Sequence, residues 1–381
     1  VIVVAGEALI DLVPQTPTSR DERHAARVDD AGADAGRNLG AGPGGNLGAG
    51  PGAGADPGAG ADPGASAGAN PGASAGANPG AGAGANPGAG AEGRVPALPA
   101  LAPRLGGGPY NTAIALGRLG SPTAFCSRVS SDAFGDALLA GLRAAGVDVR
   151  YVQRGDEPTT LAVASIGADG SAGYSFYVDG TADRLFSAPS RLPDGVRAMS
   201  FGTCSLALEP GATAYEELMR DAAERGVCTA LDPNIRSGLI PDADAYRARF
   251  KSWLPSVTLL KVSEEDARWL GGTPQEWLAA GPAAVVVTRG GDGLSVFTRD
   301  GGEVSVPGVA VDVVDTIGAG DTVNAALLHA LDARDALSAD AVAGLGADDW
   351  QAVLRFAARA AAITCSRAGA EPPYARELGE A

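Results

Sequence analysis

Asp321 stands directly after the turn Thr316-Ile317-Gly318-Ala319-Gly320. From it the apolar residues Val323, Ala326, Leu327, Ala330 and Leu331 recur at helical spacing. A helix that begins just after two permissive glycines presents unpaired N–H groups in its first turn. Those groups and the helix dipole favour an anion. A carboxylate beside an anion pocket suits phosphoryl transfer: one part orients an attacking hydroxyl, the other receives charge on the phosphate. The same N-terminal field is expected to keep Asp321 ionised, by about 0.3–1 kcal/mol at an exposed site. A glycine turn before a helix is also ordinary packing, and Asp is common at a helix start. The remaining residues have to supply the weight.

Further polar clusters follow stretches that read as strands: Asp11, Asp232 to Arg236, Lys261 to Asp266, and Thr288 to Gly293. Any one could be a solvated loop. Five clusters after five strands point to one sheet edge, where open α/β sheets bind ligands. A second glycine cluster, Leu105-Gly106-Gly107-Gly108-Pro109-Tyr110-Asn111, precedes a helical run. Its glycines let backbone approach a ligand, and Asn111 brings a donor and an acceptor.

The elements that must position these residues alternate. Val1 to Val4 reads as a buried strand of a parallel sheet, with Asp11 near its carboxyl end. Strands are expected at 124–129, 161–166, 174–178, 198–201, 228–231, 258–262, 283–288 and 294–298. Val313 and Val314 suggest a further short strand into the turn. Helices are expected after residue 111 and at 135–145, 212–224, 264–270, 319–331 and 348–366. Asp169-Gly170 marks a hairpin turn. Strands alternating with helices imply an α/β fold, a doubly wound and mainly parallel sheet covered on both faces.

Residues 32–93 differ in kind. They are nearly all Gly, Ala, Pro, Asn, Asp and Ser, with GAGADP occurring twice and GASAGANP twice. Such a segment cannot bury enough apolar surface to offset ordering entropy, so a disordered insertion is expected. It would divide one α/β domain, residues 1–31 and 94–381, large enough for a sizeable core.

The 381 residues carry a net charge of -16. So acidic a chain is a poor match for nucleic acid or an anionic membrane surface. The four cysteines are far apart and the two histidines have no ligand-like neighbours, which argues against a zinc site or a disulfide framework. No apolar run is long enough to span a bilayer. The amino-terminal stretch lacks the basic flank and cleavage site of a signal peptide, so a cytoplasmic protein is expected. The start at Val1, without Met, suggests processing or trimming.

GGGPYNTAIALGRLG and DTIGAGDTVNAALL together resemble the two signatures of the ribokinase-like, phosphofructokinase-B type carbohydrate kinases. The likeness covers nearly everything outside 32–93. GEALIDLVP, FGTCSLALEPGA, DPNIR and CSRAGAEPP look most like bacterial fructokinases. The resemblance implies a ribokinase-like fold with a small β lid, its strands within 12–31, 94–105 and 159–180. It implies ATP and Mg²⁺ as cofactors and a sugar as the small-molecule partner, fructose first. It also allows a homodimer, whose lid contacts the insertion would disturb.

By the same resemblance Asp321 would be the catalytic base, and the N–H groups of Gly318, Ala319 and Gly320 the anion hole. Asp11, Gly107, Asn111 and Arg236 would meet the sugar. Lys261, Thr288, Gly290 and Gly293, with Gly318 and Gly320, would bind nucleotide, and 362–369 would close around adenine. Asp315 and Thr316 match positions that hold a monovalent cation, K⁺, in some members. Family members often carry Asn-x-x-Glu near the magnesium. Here the frame reads Ser263-Glu264-Glu265-Asp266, so no single metal ligand is assigned.

Ribokinase, 2-keto-3-deoxygluconate kinase and nucleoside kinase activities share this fold and stay open. A non-catalytic sugar-binding regulator is disfavoured by the intact Asp321 and its turn. A dinucleotide-dependent oxidoreductase is disfavoured because no GxGxxG follows the first strand. A scaffold whose business is the repeat would be separated from these by deleting residues 32–93.

Overall fold

The computed structural model describes residues 1–15, 100–166, 172–192 and 194–379. The repeat at 32–93, most of the first lid span, residues 94–99 and the Asp169-Gly170 turn lie outside them.

In chain order the elements are β1 (Ile2–Ala5), β2 (Leu9–Pro14), β3 (Leu101–Gly106), α1 (Gly108–Arg118), β4 (Thr123–Ser130), α2 (Ala133–Ala144), β5 (Asp148–Gly155), β6 (Leu161–Ile166) and β7 (Ala172–Tyr177). There follow β8 (Ala198–Gly202), α3 (Gly211–Glu224), β9 (Cys228–Asp232), α4 (Ala243–Trp253), β10 (Leu259–Ser263), α5 (Glu264–Leu270), α6 (Pro274–Ala280) and β11 (Ala284–Thr288). The last are β12 (Leu294–Thr298), β13 (Glu303–Val306), α7 (Ala319–Ala333), α8 (Ala339–Ala343) and α9 (Ala347–Cys365).

Nine strands form one sheet in the order β13-β12-β11-β10-β9-β8-β1-β4-β5. All neighbours from β11 to β5 are parallel; β12 and β13 add an antiparallel edge. The expected α/β fold with a mainly parallel sheet is therefore present. Both faces are packed, and β1 shows why a continuous apolar run is required. Ile2 and Val4 point into one core with α1, α2, α7 and α9, while Val3 and Ala5 enter the other with α3, α4 and α6.

A second sheet of four strands has the order β3-β2-β6-β7. Its β2–β6 pair is parallel and the other two pairs are antiparallel. Asp11 lies in the middle of β2 and so belongs to this sheet, not to the end of a central strand as its place after residues 1–4 suggests. A break at Gly6, whose φ is 152°, separates β1 from β2. It sends β2, with Asp11, into the second sheet.

One other expectation is corrected, and one strand is added. Val313 and Val314 form no strand; they are 65% and 62% exposed, and the segment hangs on a single acceptor, with Val314 and Asp315 N–H both donating to the Cys365 carbonyl. The run 148–155, unassigned from sequence, is the edge strand β5. Its alternation is weak because only Gly155 is fully buried.

Candidate active site

The turn before α7 follows from one backbone conformation. Gly318 caps the helix at φ 76°, and a Cβ there would sit 2.6 Å from the Ala370 Cβ. Only glycine meets both demands without strain. No side chain caps α7. Ala319 N–H donates to the Thr316 carbonyl at 3.3 Å. The N–H groups of Gly318, Gly320 and Asp321 have no acceptor among the described residues. Of the three amides expected as an anion hole, Ala319 is thus already engaged, and the Asp321 amide is free beside those of Gly318 and Gly320.

The side chain of Asp321 points into the protein. It is 6% exposed and accepts a hydrogen bond from Asn111 Nδ2 at 2.9 Å. This pairing joins the two glycine-rich stretches, because α1 packs directly along α7. Burial pushes the carboxyl up to about 7, against the pull of Asn111, Lys261 and Arg236 and with a further push from Asp232. The field of the helix N-terminus therefore does not decide the ionisation of Asp321. Loss of solvent outweighs a dipole effect of about 0.3–1 kcal/mol. A group that titrates near 7 is placed for proton transfer at neutral pH.

Beneath the turn lies a second carboxylate. Lys261 Nζ contacts Asp232 Oδ2 at 2.8 Å, both side chains being buried. A Cβ on Gly320 would come within 3.0 Å of the same ammonium. Burial works against the charge of Lys261, but Asp232 holds its affinity for the proton above the ordinary value. Lys261 lines neither cavity described below. It supports the turn from behind.

Asp321 sits on the floor of a cleft of about 580 Å³. Asp11, Gly107, Asn111 and Arg236, separate in sequence, line the same cleft. Burial raises Asp11 to about 6, Arg236 pulling it back. Arg236 donates through Nη1 to Asn234 Oδ1 at 2.7 Å and stays exposed at the mouth. Gly107 has φ 107°, and a Cβ there would lie 2.9 Å from the Glu7 carbonyl oxygen, so the backbone must remain bare.

A second cavity of about 270 Å³ is lined by Thr288, Gly290, Gly293, Val323 and Ala362, among others. It shares Thr316 and Gly320 with the cleft. The glycine turn is the wall between the two.

Asp266 has both oxygens committed. Oδ2 closes the capping box with Ser263 and Oδ1 accepts the Ile235 N–H at 2.8 Å. The Ser-Glu-Glu-Asp frame is therefore first a helix cap that pins the loop after β9, and Glu265 is the exposed carboxylate it presents to the cleft. Asp315 accepts the N–H groups of Ile317 at 3.0 Å and Gly369 at 2.8 Å, tying the turn to the carboxyl-terminal segment. No cluster of three His, Cys, Asp or Glu fit for a metal occurs among the described residues. The cysteines are free. No described helix is long and apolar enough to cross a membrane.

Sequence reasoning missed three lining residues. Glu7, 2% exposed, lines the cleft and accepts from Thr203 Oγ1 and, at 2.9 Å, from the Ser205 N–H. Its signal was a carboxylate amid buried apolar residues. Tyr174 and Phe176 of β7 reach the cleft from the smaller sheet, their rings stacked 6.2 Å apart. Alternation in Tyr174-Ser175-Phe176 puts both on one face, but not which face.

A buried carboxylate at the junction of a polar cleft and a glycine-walled cavity defines a phosphotransferase-like site. The comparisons agree. Residues 90–376 match the model of the pfkB family carbohydrate kinases. A fructokinase of Rhizobium leguminosarum bv. trifolii is 40% identical over 253 residues, 64% of this chain and 76% of the relative. Fructokinase-1 of Zea mays is 33% identical over 293 residues, 73% of this chain and 88% of the relative. The chain belongs to the pfkB family and is a carbohydrate kinase. Its fold is that of the Xylella fastidiosa fructokinase solved with bound ATP, with TM-score 0.68, 23% identity, and 97% of this chain and 93% of that one covered. A Vibrio cholerae fructokinase solved with fructose, ADP and potassium gives TM-score 0.65 at 20% identity, covering 97% and 93%.

Proposed function

We propose that the protein transfers the γ-phosphoryl group of ATP to a primary hydroxyl of fructose. The observation that carries this reading is the shared wall. Two cavities of different chemistry meet at Thr316 and Gly320, with Asp321 buried on the cleft side. Two relatives above 30% identity, both fructokinases, support the choice of sugar.

In this reading fructose lies in the cleft against Asp11, the bare backbone at Gly107, and Asn111, with Arg236 at the mouth. Thr288, Gly290 and Gly293 border the nucleotide, and the segment from Ala362 closes on its base. Asp321 takes the hydroxyl proton as the new O–P bond forms and the bond to the leaving ADP oxygen breaks. The N–H groups of Gly318, Gly320 and Asp321 receive charge on the phosphoryl group in a site that needs no reorganisation. Lys261 adds a fixed positive charge behind Gly320. Tyr174 and Phe176 exclude water, which would otherwise compete as acceptor.

Magnesium would ride mainly on the nucleotide's phosphates and its own waters, as a hard cation does. Glu265 is the uncommitted carboxylate suited to hold it through water, and the ion would neutralise charge between the phosphates. A K⁺ ion by Asp315 and Thr316 is compatible with the carboxylate, each oxygen of which keeps a lone pair beyond its N–H bond.

The test is a panel of ribose, fructose, 2-keto-3-deoxygluconate and a nucleoside with ATP and Mg²⁺. Fructose should give the highest kcat/KM. Turnover of another member with none of fructose would overturn the substrate assignment.

A further inference from the structure

A small chamber of about 10 Å³ adjoins the cleft, bordered by Asp232, Asp321, Thr112, Ser200 and Asn324 among others. Two of these residues carry a buried oxygen, Asp232 Oδ1 and Asn324 Oδ1, that has no donor among the described residues. Both residues are nearly inaccessible, at 4% and 3%. The rest of each group is fixed. Asp232 Oδ2 holds Lys261 at 2.8 Å, and Asn324 Nδ2 donates to Ser200 Oγ at 3.0 Å. Lys261 can only donate, so Asp232 always leaves one oxygen over, whereas the Asn324 amide can turn only if Ser200 Oγ becomes the donor to it.

Buried acceptors are almost always satisfied, and an unpaired carboxylate oxygen is among the least tolerable. One probe-sized space with two to four polar partners is the requirement for an internal water. A water has two hydrogens for two orphan acceptors. Thr112, whose Oγ1 donates to the Asp321 carbonyl at a long 3.4 Å, borders the same space.

We propose that a single resident water occupies this chamber, donating to Asp232 Oδ1 and Asn324 Oδ1, and that it positions the Asp232–Lys261 pair beneath the glycine turn. The site adjoins the sugar cleft, with which it shares Gly108, Thr203 and Asp321. The water holds Asp232 in the rotamer that keeps Lys261 under Gly320. It also screens the Asp232 charge from Asp321. Asn324, one helical turn from Asp321 on α7, thereby becomes a positioning residue for the reaction without touching a substrate.

The first arm of the test is a crystal structure of the full chain at about 1.5 Å or better. One spherical peak within normal hydrogen-bond distance of both oxygens is expected, about 2.6–3.2 Å. An empty chamber overturns the proposal. So does an Asn324 amide turned to donate directly to Asp232, since amide orientation is otherwise an assignment. This arm is independent of any role for Asp321.

The second arm rests on Asp321 as base. Asn324→Leu fills the space and removes one acceptor. It should lower kcat about tenfold by misplacing the turn, with fructose KM unchanged. It should also move the acid limb of kcat/KM upward, because Asp232 then faces Asp321 unscreened. The other charged groups acting on Asp321, Lys261 from β10 and Arg236 from the loop after β9, are untouched. Ser200→Ala frees the amide to turn and should act in the same direction if the leucine variant does not fold. Wild-type kcat and pH profile in a folded variant that lacks the water would refute the positioning role, whatever Asp321 does.

Discussion

The two cavities that meet at the glycine turn differ in kind, and the proposed assignment of sugar to one and nucleotide to the other follows that difference. The cleft presents Glu7, Asp11, Arg236, Glu265 and Asp321. The neighbouring cavity presents glycines, alanines and valines, with Thr288, Thr316 and Cys365 its polar side chains. A neutral sugar offers hydroxyls whose positions must be told apart, and side chains of defined geometry do that. A nucleotide brings its own charge and a flat apolar base. Backbone N–H groups and smooth walls suffice for it, and side-chain charge there would have to be desolvated. The difference predicts that damage on the two sides separates in kinetics.

The largest effect should come from the junction. Asp321→Asn keeps an acceptor for Asn111 but cannot take a proton, and kcat should fall by about 10²–10⁴-fold. Nucleotide affinity by calorimetry should stay within about twofold of wild type; a variant with near-normal turnover would remove Asp321 from the chemistry. The same substitution should stabilise the protein. A carboxyl raised in the folded state from 3.8 to about 7 opposes folding once ionised. The cost grows as pH rises through that window and is complete above it, up to about 4 kcal/mol. The thermal midpoint of Asp321→Asn should therefore exceed wild type at pH 8 and match it near pH 4. Equal midpoints at both would show that burial does not set the proton affinity.

On the cleft side, Asp11→Asn should raise fructose KM by roughly 10- to 100-fold, the range for a lost charged hydrogen bond of about 1.5–3 kcal/mol. The KM for ATP should hold. On the other side, Ala362→Leu crowds the apolar cavity at a cost of about 1 kcal/mol or more. It should raise the KM for ATP about fivefold and leave fructose alone. A crossed result, in which either variant shifts the other substrate, would mean that the shared wall moves as substrates bind.

The same contrast explains what could be read before the structure was known. The turn, the helix and the residue after them are local, and residues 318–321 were legible from glycine spacing and helical periodicity. The alternation of elements carried the fold in the same way. Burial is not local. Asp321 reads as an exposed first-turn residue because nothing within the turn reveals that α1 covers it and delivers Asn111. Asp232 and Lys261 are 29 residues apart on neighbouring strands, and only the order β8-β9-β10 makes them a pair. Asp11 was placed on the wrong sheet because one glycine break separates β1 from β2. The Ser263–Asp266 frame reads as a departure from a magnesium motif with no ligand assigned, whereas Ser263 three positions before Asp266 spells a capping box.

The pH dependence of kcat/KM for fructose at saturating ATP bears most directly on the buried carboxylate as base. An acid limb with an apparent pKa near 7 is expected, falling tenfold per pH unit below it, and it should persist in Asp11→Asn. A profile that stays flat from pH 5.5 to 8.5, or a limb that disappears with Asp11, would contradict it.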